Sequence, residues 1–410
     1  MADEAQAIEE FFRRRYGREA LYLPSGRAAL YLAFREWLRP GDRVLMSPVN
    51  DDVVLFVVLA AGLVPVLGPV DPTTGNLDPG AIDDSTWGRL RAVLTTNLYG
   101  IPDRMDLLEE RCRRYDLVLL EDAAHALDSR WDGRRIGQFG VAAAYSLHKH
   151  LNVGGGVLTF AERGTRHSLA LRAAAEIRHP AFLDAVSLRT RALLRRLVPT
   201  STRRGRWLRG LRDRLVPAPQ ERAGHRLPYE SAAAFQAQRE GGGLDRFDRW
   251  VRVDNHAYRT WPRRSTQRAA LRRLELFEAE REGRLAGARK LSALGLTPAA
   301  VCLPPDTALF RVPLFVRERE QVRAHFARRG LALDYIYDPP LDAYAPDLTD
   351  RRAASDGAAH WSRDVLPVDP LLADRFLAAL EESGGSVTVP LQRRLGGSQR
   401  PDAAARPPGR

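Results

Sequence analysis

Short apolar runs alternate with longer stretches in which apolar residues return every three or four positions, from residue 20 to about residue 160. Six of the runs read as strands: "RVLMS" (43–47), "VPVLGPV" (64–70), "AVLTT" (92–96), "LVLLED" (117–122), "AAAYSL" (142–147) and "GVLTF" (156–160). The helical period predicts helices over Gly26 to Leu38, Val53 to Ala61 and Asp106 to Tyr115. Several runs are apolar at every position rather than at alternate ones, which is the pattern of strands covered on both faces. The class this predicts is α/β, with a mostly parallel sheet.

Farther along, "LPYESAAAFQAQRE" reads as a helix, the Gly241-Gly242-Gly243 break follows, and a second helix is predicted from Leu244 through Tyr258. A strand at 308–316, a helix from Glu318 to Arg329, a strand at "ALDYIY" and a last helix at "LLADRFLAALEE" predict a smaller α+β domain. The expected division is a large α/β domain over 1–240, interrupted by a basic helical insertion at 161–224, and a small domain over 241–383. The stretch 384–410, rich in Gly, Pro, Arg and Ser, is expected to be a disordered tail. One run challenges a soluble reading: Val53 to Val70 is uncharged over 18 residues, the threshold for a membrane span. Gly62, Pro65, Gly68 and Pro69 divide it, and Pro65 cannot sit inside an unbroken helix, so a short buried helix leading into a strand is expected instead.

Composition adjusts this picture at three points. The two cysteines, Cys112 and Cys302, are too few and too far apart for a disulfide framework or a metal cluster, and read as small buried apolar groups. The start, "MADEAQAIEEFF", is acidic and lacks a basic stretch followed by an apolar core, so a cytoplasmic protein is expected. The net charge of +12 is concentrated: residues 161–224 hold 15 arginines against five acids. Within that segment leucines and Trp207 recur at helical spacing among arginines, which fits either a helical cover on the main domain or, over 185–216, peripheral contact with an anionic membrane. No nucleic-acid partner is inferred from the charge.

Of the 63 basic residues only Lys149 and Lys290 are lysine. A chain that uses arginine wherever only a positive charge is wanted has kept an amine in "AAYSLHKHLNVGGG", and an amine can lose its proton and form an imine whereas a guanidinium cannot. A surface charge is the plainer alternative. Upstream, Ser25-Gly26-Arg27 precedes an apolar-periodic helix, a place suited to a phosphate or simply to an N-cap serine. "LVLLEDAAHA" ends an apolar strand in Glu121-Asp122 with His125 close behind, either at the ligand crevice of a parallel sheet or as a cap for the next helix. His148 and His150 have no third ligand spaced nearby, and no metal site is inferred. A phosphate site, an acidic strand end and a lysine, in that order, form the constellation that pyridoxal 5'-phosphate (PLP) needs.

At these motifs the chain resembles the DegT/StrS family of PLP-dependent sugar aminotransferases. "SGRAALYLA" with "RPGDRVLMSP", "DPTTGNLDP", "TTNLYGIPDRMD", the stretch from "LEDAAHALDS" to "KHLNVGGGVL", "LDRFDRWVRVDNHAYR", "YDPPL" and "SRDVLPVDPLLAD" follow one another in that family's order from about Tyr22 to Glu382. The resemblance implies a fold type I PLP-dependent transferase and a homodimer with composite sites. It implies that Lys149 forms the imine with the cofactor and later moves the proton, that Asp122 pairs with the pyridinium nitrogen, and that His125 lies beside the ring. Ser25, Gly26, Arg27 and Ser146 would hold the phosphate, and Asn50, Asn97, His148 and Arg226 would lie toward the substrates. The implied reaction moves an amino group from an amino acid, by resemblance glutamate, to a keto sugar linked to a nucleotide, in sugar-modifying or natural-product biosynthesis. Three departures stand out. Ser146 and Lys149 are three residues apart where five is usual, "SPVNDDVV" puts Asn50 and Asp51 where an aromatic residue over the ring is usual, and "LPVDP" carries Asp369 in place of a common histidine. They leave two alternatives open: a PLP enzyme of another type, such as a dehydratase, or a non-catalytic binding or assembly protein.

Overall fold

All six predicted runs form strands, and a seventh joins them. The computed structural model describes residues 3–162, 164–179, 231–252, 258–297, 307–334, 336–350 and 356–381. Its central sheet contains β1 (Glu19–Leu23), β2 (Arg43–Met46), β3 (Val64–Leu67), β4 (Ala92–Thr95) and β5 (Val118–Asp122). After a two-residue hairpin, β6 (Arg130–Trp131) and β7 (Arg134–Arg135), it is completed by β8 (Ala142–Ser146) and β9 (Gly156–Phe160). The order is β1-β9-β8-β5-β4-β2-β3. Strands β8, β5, β4, β2 and β3 pair in parallel, and β9 runs antiparallel to both neighbours. The carboxyl ends of β4, β5 and β8 therefore share one edge, where a crevice forms in open parallel sheets.

Each face carries its own apolar layer. On one side, α2 (Gly26–Trp37) and α3 (Asp52–Ala60) pack Leu32, Phe34 and Phe56 into a core that also takes Leu244, Phe247 and Trp250. On the other side α1 (Glu4–Tyr16) contributes Ile8, Phe12 and Tyr16, and the Met105–Tyr115 helix contributes Leu108 and the buried Cys112. The apolar run from Val53 divides as expected into α3, a turn at Gly62 with φ of 80°, and β3. Among the described residues no helix is long and apolar enough to cross a membrane.

The small domain is built on an antiparallel pair, β10 (Val312–Phe315) and β11 (Val365–Val368), covered by helices Arg319–Arg328 and Ala373–Glu381. A 29-residue helix, Arg264–Ser292, joins it to the rest. Ala270, Leu274 and Phe277 of this helix lie in the large-domain core and Leu291 in the small-domain core. Gly287 permits the helix to touch the Pro370 carbonyl, which a Cβ would approach to 1.9 Å.

Several expectations change. "ALDYIY" forms no strand among its described residues: Leu333 packs in the small-domain core, Tyr337 stacks on Tyr99 at 6.2 Å, and Ile336 is buried at a single bridge. The helix from Leu244 ends at Val251, and the strand expected over 308–316 shrinks to Val312–Phe315. The boundary expected at 240/241 is not a break in packing. There Gly241, Gly242 and Gly243 adopt φ of 92°, 69° and 95°, and the Gly243 N–H donates to the Ala60 carbonyl at 2.7 Å, seating the Leu244–Val251 helix on α3. Phe56 and Trp250 then stack with centroids 5.6 Å apart. The basic segment 185–216 and the tail 384–410 lie outside the described residues.

Candidate active site

Ser25 caps α2, accepting the Ala28 N–H at 3.2 Å and donating to the Tyr258 carbonyl at 2.9 Å. Gly26 follows with no side chain, and a Cβ there would lie 3.1 Å from the Ser146 Cβ. Gly156 approaches from the other side, so closely that its Cβ would stand 2.3 Å from the Ser25 carbonyl carbon and 2.5 Å from the Gly26 nitrogen. Gly155 holds φ of 128°. The glycines of "NVGGG" thus let β9 pass against the turn that opens α2, and Ser25, Gly26 and Ser146 converge at a helix N-terminus suited to an anion. Gly156→Ala should lower the melting temperature by several degrees, a cost of about 2 kcal/mol or more, because backbone cannot yield as a side chain does. A thermal melt beside Gly154→Ala checks it, since Gly154 meets only Thr266, at 3.5 Å.

Asp122 closes β5 at the neighbouring strand end. Its carboxylate accepts the Ala124 N–H at 3.0 Å, and its carbonyl accepts the Asn97 amide at 3.3 Å. Burial pushes its carboxyl up to about 7, against the pull of the Ala124 N–H and Lys149, and the Asp51 charge adds to the rise. His125 follows in the same loop. Its Nδ1 accepts the Tyr99 N–H at 3.2 Å, which leaves the ring proton on Nε2. Burial, with Lys149, His150 and Arg311 adding to it, holds this imidazole well below its ordinary value, so it is neutral at pH 7. Phe310 stacks on its face at 4.6 Å and 19°.

Lys149 lies on the short Leu147–Leu151 helix that follows β8, with its Nζ 3.8 Å from Asp51 Oδ2. Asp51 is the N-cap of α3 and accepts the Val53 N–H at 3.2 Å. Asn50 accepts the Asp51 N–H at 2.8 Å and donates to Thr96 at 3.3 Å. His150 is turned inward, against the rings of Phe277 and Phe310 at 5.3 and 5.0 Å. His148 is half-buried on the same turn.

Some candidates are placed otherwise than expected. The Arg27 guanidinium donates to the Val251 carbonyl at 2.9 Å and lies 5.3 Å over the Tyr258 ring, so it braces the Ser25 turn from behind. Asn97 is fully buried with φ of 45°: its amide serves Thr95 and Asp122, and its oxygen accepts the Asp103 N–H. That use of both ends makes Asn97 a turn-former in the loop after β4. Arg226 lies outside the described residues.

Residues 2–174 match the model of the DegT/DnrJ/EryC1/StrS aminotransferase family. The match covers less than half of the chain. It holds Ser25, Gly26, Asn50, Asp51, Asp122, His125, Ser146 and Lys149, whereas Phe310, Phe277 and Tyr258 lie beyond it. Among curated relatives, dTDP-3-amino-3,4,6-trideoxy-alpha-D-glucose transaminase of Streptomyces venezuelae is 38% identical over 138 residues, 33% of this chain and 36% of its own. The chain spans only 34% to 42% of the lengths of the curated relatives it matches. Solved structures extend the likeness through the small domain. The crystal structure of S. venezuelae DesV in complex with a ketimine intermediate is 26% identical, with a TM-score of 0.61 over 93% of this chain and 89% of that one. Helicobacter pylori PseC, an aminotransferase of pseudoaminic acid biosynthesis, is 14% identical with a TM-score of 0.65 over 94% and 92%, a likeness of fold.

Within the segment that matches that family model, the sequence singled out Lys149, Asp122, His125, Ser25 and Ser146, and the fold gathers them at one sheet edge. It gave no signal for Phe310, 185 positions from the His125 ring it covers, nor for Tyr99, whose φ of 58° aims an N–H at that ring.

Proposed function

We propose that this chain is a PLP-dependent aminotransferase that moves an amino group from an amino acid, glutamate first among candidates, to a keto sugar, nucleotide-linked as in the relatives' names. The observation that carries this reading is the placing of the Lys149 amine, 3.8 Å from Asp51, within reach of the charge of the buried Asp122 carboxyl and beside the Ser25–Gly26–Ser146 turn. The residues present fit the cofactor: a serine-capped helix N-terminus opening on a glycine, a buried carboxyl, and an amine. Ser25, Gly26 and Ser146 would hold its phosphate, Asp122 its ring nitrogen, and His125, donating from Nε2, would lie beside the ring. When bound, PLP supplies an electron sink for charge developing on the carbon that carries the migrating nitrogen. Lys149 would supply the amine that anchors the group and, once released, the base that carries a proton between the two carbons flanking the migrating nitrogen. Asp122 supplies a negative charge that keeps a proton on its partner, and its burial keeps water from weakening that contact. Lys149 also favours transamination over a dehydratase reading, in which histidine would take the lysine position.

The same reading carries a cytoplasmic homodimer with composite sites. The test is spectroscopic. Purified protein with added PLP should show a visible absorption band that borohydride abolishes and glutamate bleaches. A protein that takes up no PLP refutes an enzyme of this type, and a band that survives every amino acid offered refutes transamination.

A further inference from the structure

The structure assigns Asp51 a role that rests on the reading above and goes beyond it: we infer that Asp51 is a positioning residue that holds the Lys149 ammonium whenever that amine is not covalently engaged. The argument begins with how firmly the carboxylate is placed. One oxygen caps α3 through the Val53 N–H, the backbone N–H is taken by Asn50, and Asn50 is tied to Thr96 at the end of β4. This leaves Oδ2 facing Lys149 Nζ at 3.8 Å, with both side chains less than a fifth exposed. A partly buried pair at this distance is screened less than a surface one. The charge of Asp122 also acts on this amine, so two carboxylates influence Lys149 from two elements, one at the end of β5 and one at the N-terminus of α3.

The division of labour follows from their settings. Asp122 is deeply buried and bonded to its own loop, a carboxyl placed for a ring nitrogen. Asp51 stands at the N-terminus of α3, with one oxygen on the Val53 N–H and the other 3.8 Å from the Lys149 amine. An amine released during turnover must stay close to the reacting carbon without occupying it, and a counter-charge on rigid backbone achieves that. Asp51 thereby restrains Lys149 by charge.

The chain offers a clean test, because it has only two lysines. Lys290 is exposed and paired with Asp374 at 2.5 Å on the small domain, far along the chain from the site, so it serves as an internal control. Asp51→Asn keeps the cap, since asparagine caps helices as well as aspartate does, and removes only the charge. Full-length protein without cofactor, treated at one fixed neutral pH with a small uncharged amine-acylating reagent and read by peptide mass spectrometry, should acylate Lys149 about five- to tenfold faster in Asp51→Asn than in wild type. Lys290 should be unchanged, and Asp51→Glu should restore the slower Lys149 rate. Equal Lys149 rates in wild type and Asp51→Asn, with matching melting curves, overturn the assignment. So does a failure of Asp51→Glu to slow the reaction relative to Asp51→Asn. The labelling needs no cofactor, so failure to take up PLP would sink the aminotransferase reading while these rates still decide the role of Asp51.

Discussion

Replacing Lys149 by alanine or by arginine is expected to abolish the borohydride-sensitive visible band and to lower turnover by about a thousandfold or more. The two variants divide the explanation. Arginine keeps a positive charge beside Asp51 but cannot give up its proton at any working pH, so it tests the amine chemistry rather than the ion pair. Loss of a positioned acid–base group alone costs about 10²- to 10⁴-fold, and loss of the covalent anchor adds to that. Stability should barely respond, because the Lys149 side chain is 16% exposed and its ion pair is worth ~1 kcal/mol at most. Melting curves within a degree or two of wild type, together with lost turnover, are the expected pair of results. Retained turnover in Lys149→Arg would remove Lys149 from the chemistry.

Asp122→Asn is expected to act in opposite directions on folding and on function. Folding raises this carboxyl from about 3.9 in an unfolded chain to about 7. The folded state therefore holds the proton more tightly. The sign follows from linkage: Asp122 contributes no penalty below pH 4, an increasing one as pH rises from about 4 to about 7, and a constant one above that. At pH 8 the penalty is roughly 4 kcal/mol. Asparagine carries no charge to bury, so cofactor-free Asp122→Asn should melt several degrees higher than wild type at pH 8 and at a similar temperature at pH 4. The same change should lower turnover of the loaded enzyme by about 10²-fold or more, as removal of one preorganised electrostatic partner does. Melts across pH and initial rates on one preparation settle both halves. A variant less stable than wild type at pH 8 would mean that the Asp122 charge is compensated in the cofactor-free protein.

Both variants target residues visible from the sequence, and the reason is physical. Lys149 and Asp122 stand directly after apolar runs, and in a parallel sheet the position after a strand is the position at the crevice. Strands β2 to β5, β8 and β9 were legible because each buries every or nearly every residue, which demands an unbroken apolar run. β1 was harder to see: "EALYL" is the same kind of run but leads straight into the Ser25 turn, and its partner β9 lies more than 130 residues away. The Arg264–Ser292 helix leaves a weak trace in the sequence because its apolar face is thin. Ala270, Leu274, Phe277, Leu285 and Leu291 are set among arginines and glutamates, and Arg284 is buried with them. "ALDYIY" failed in the other direction, since its alternation is real but the segment has a bridge at Ile336 in place of a ladder. At the site, contacts such as His125 with Phe310 come from tertiary packing and leave no local trace.

The Arg264–Ser292 helix has a consequence for how the molecule comes apart. Two cores joined by a flexible linker can lose their order separately, each with its own transition. Here one continuous hydrogen-bonded rod is a wall of both cores, and its fifth turn is tied to α1 through the buried Asp128, which Arg15 and Arg281 both approach at 2.8 Å. Melting the small domain would strip the far end of that rod of its packing, and a helix without packing is marginal in water. The two domains are therefore coupled thermodynamically as well as covalently, and a destabilising change in either one is felt by the lysine at the sheet edge.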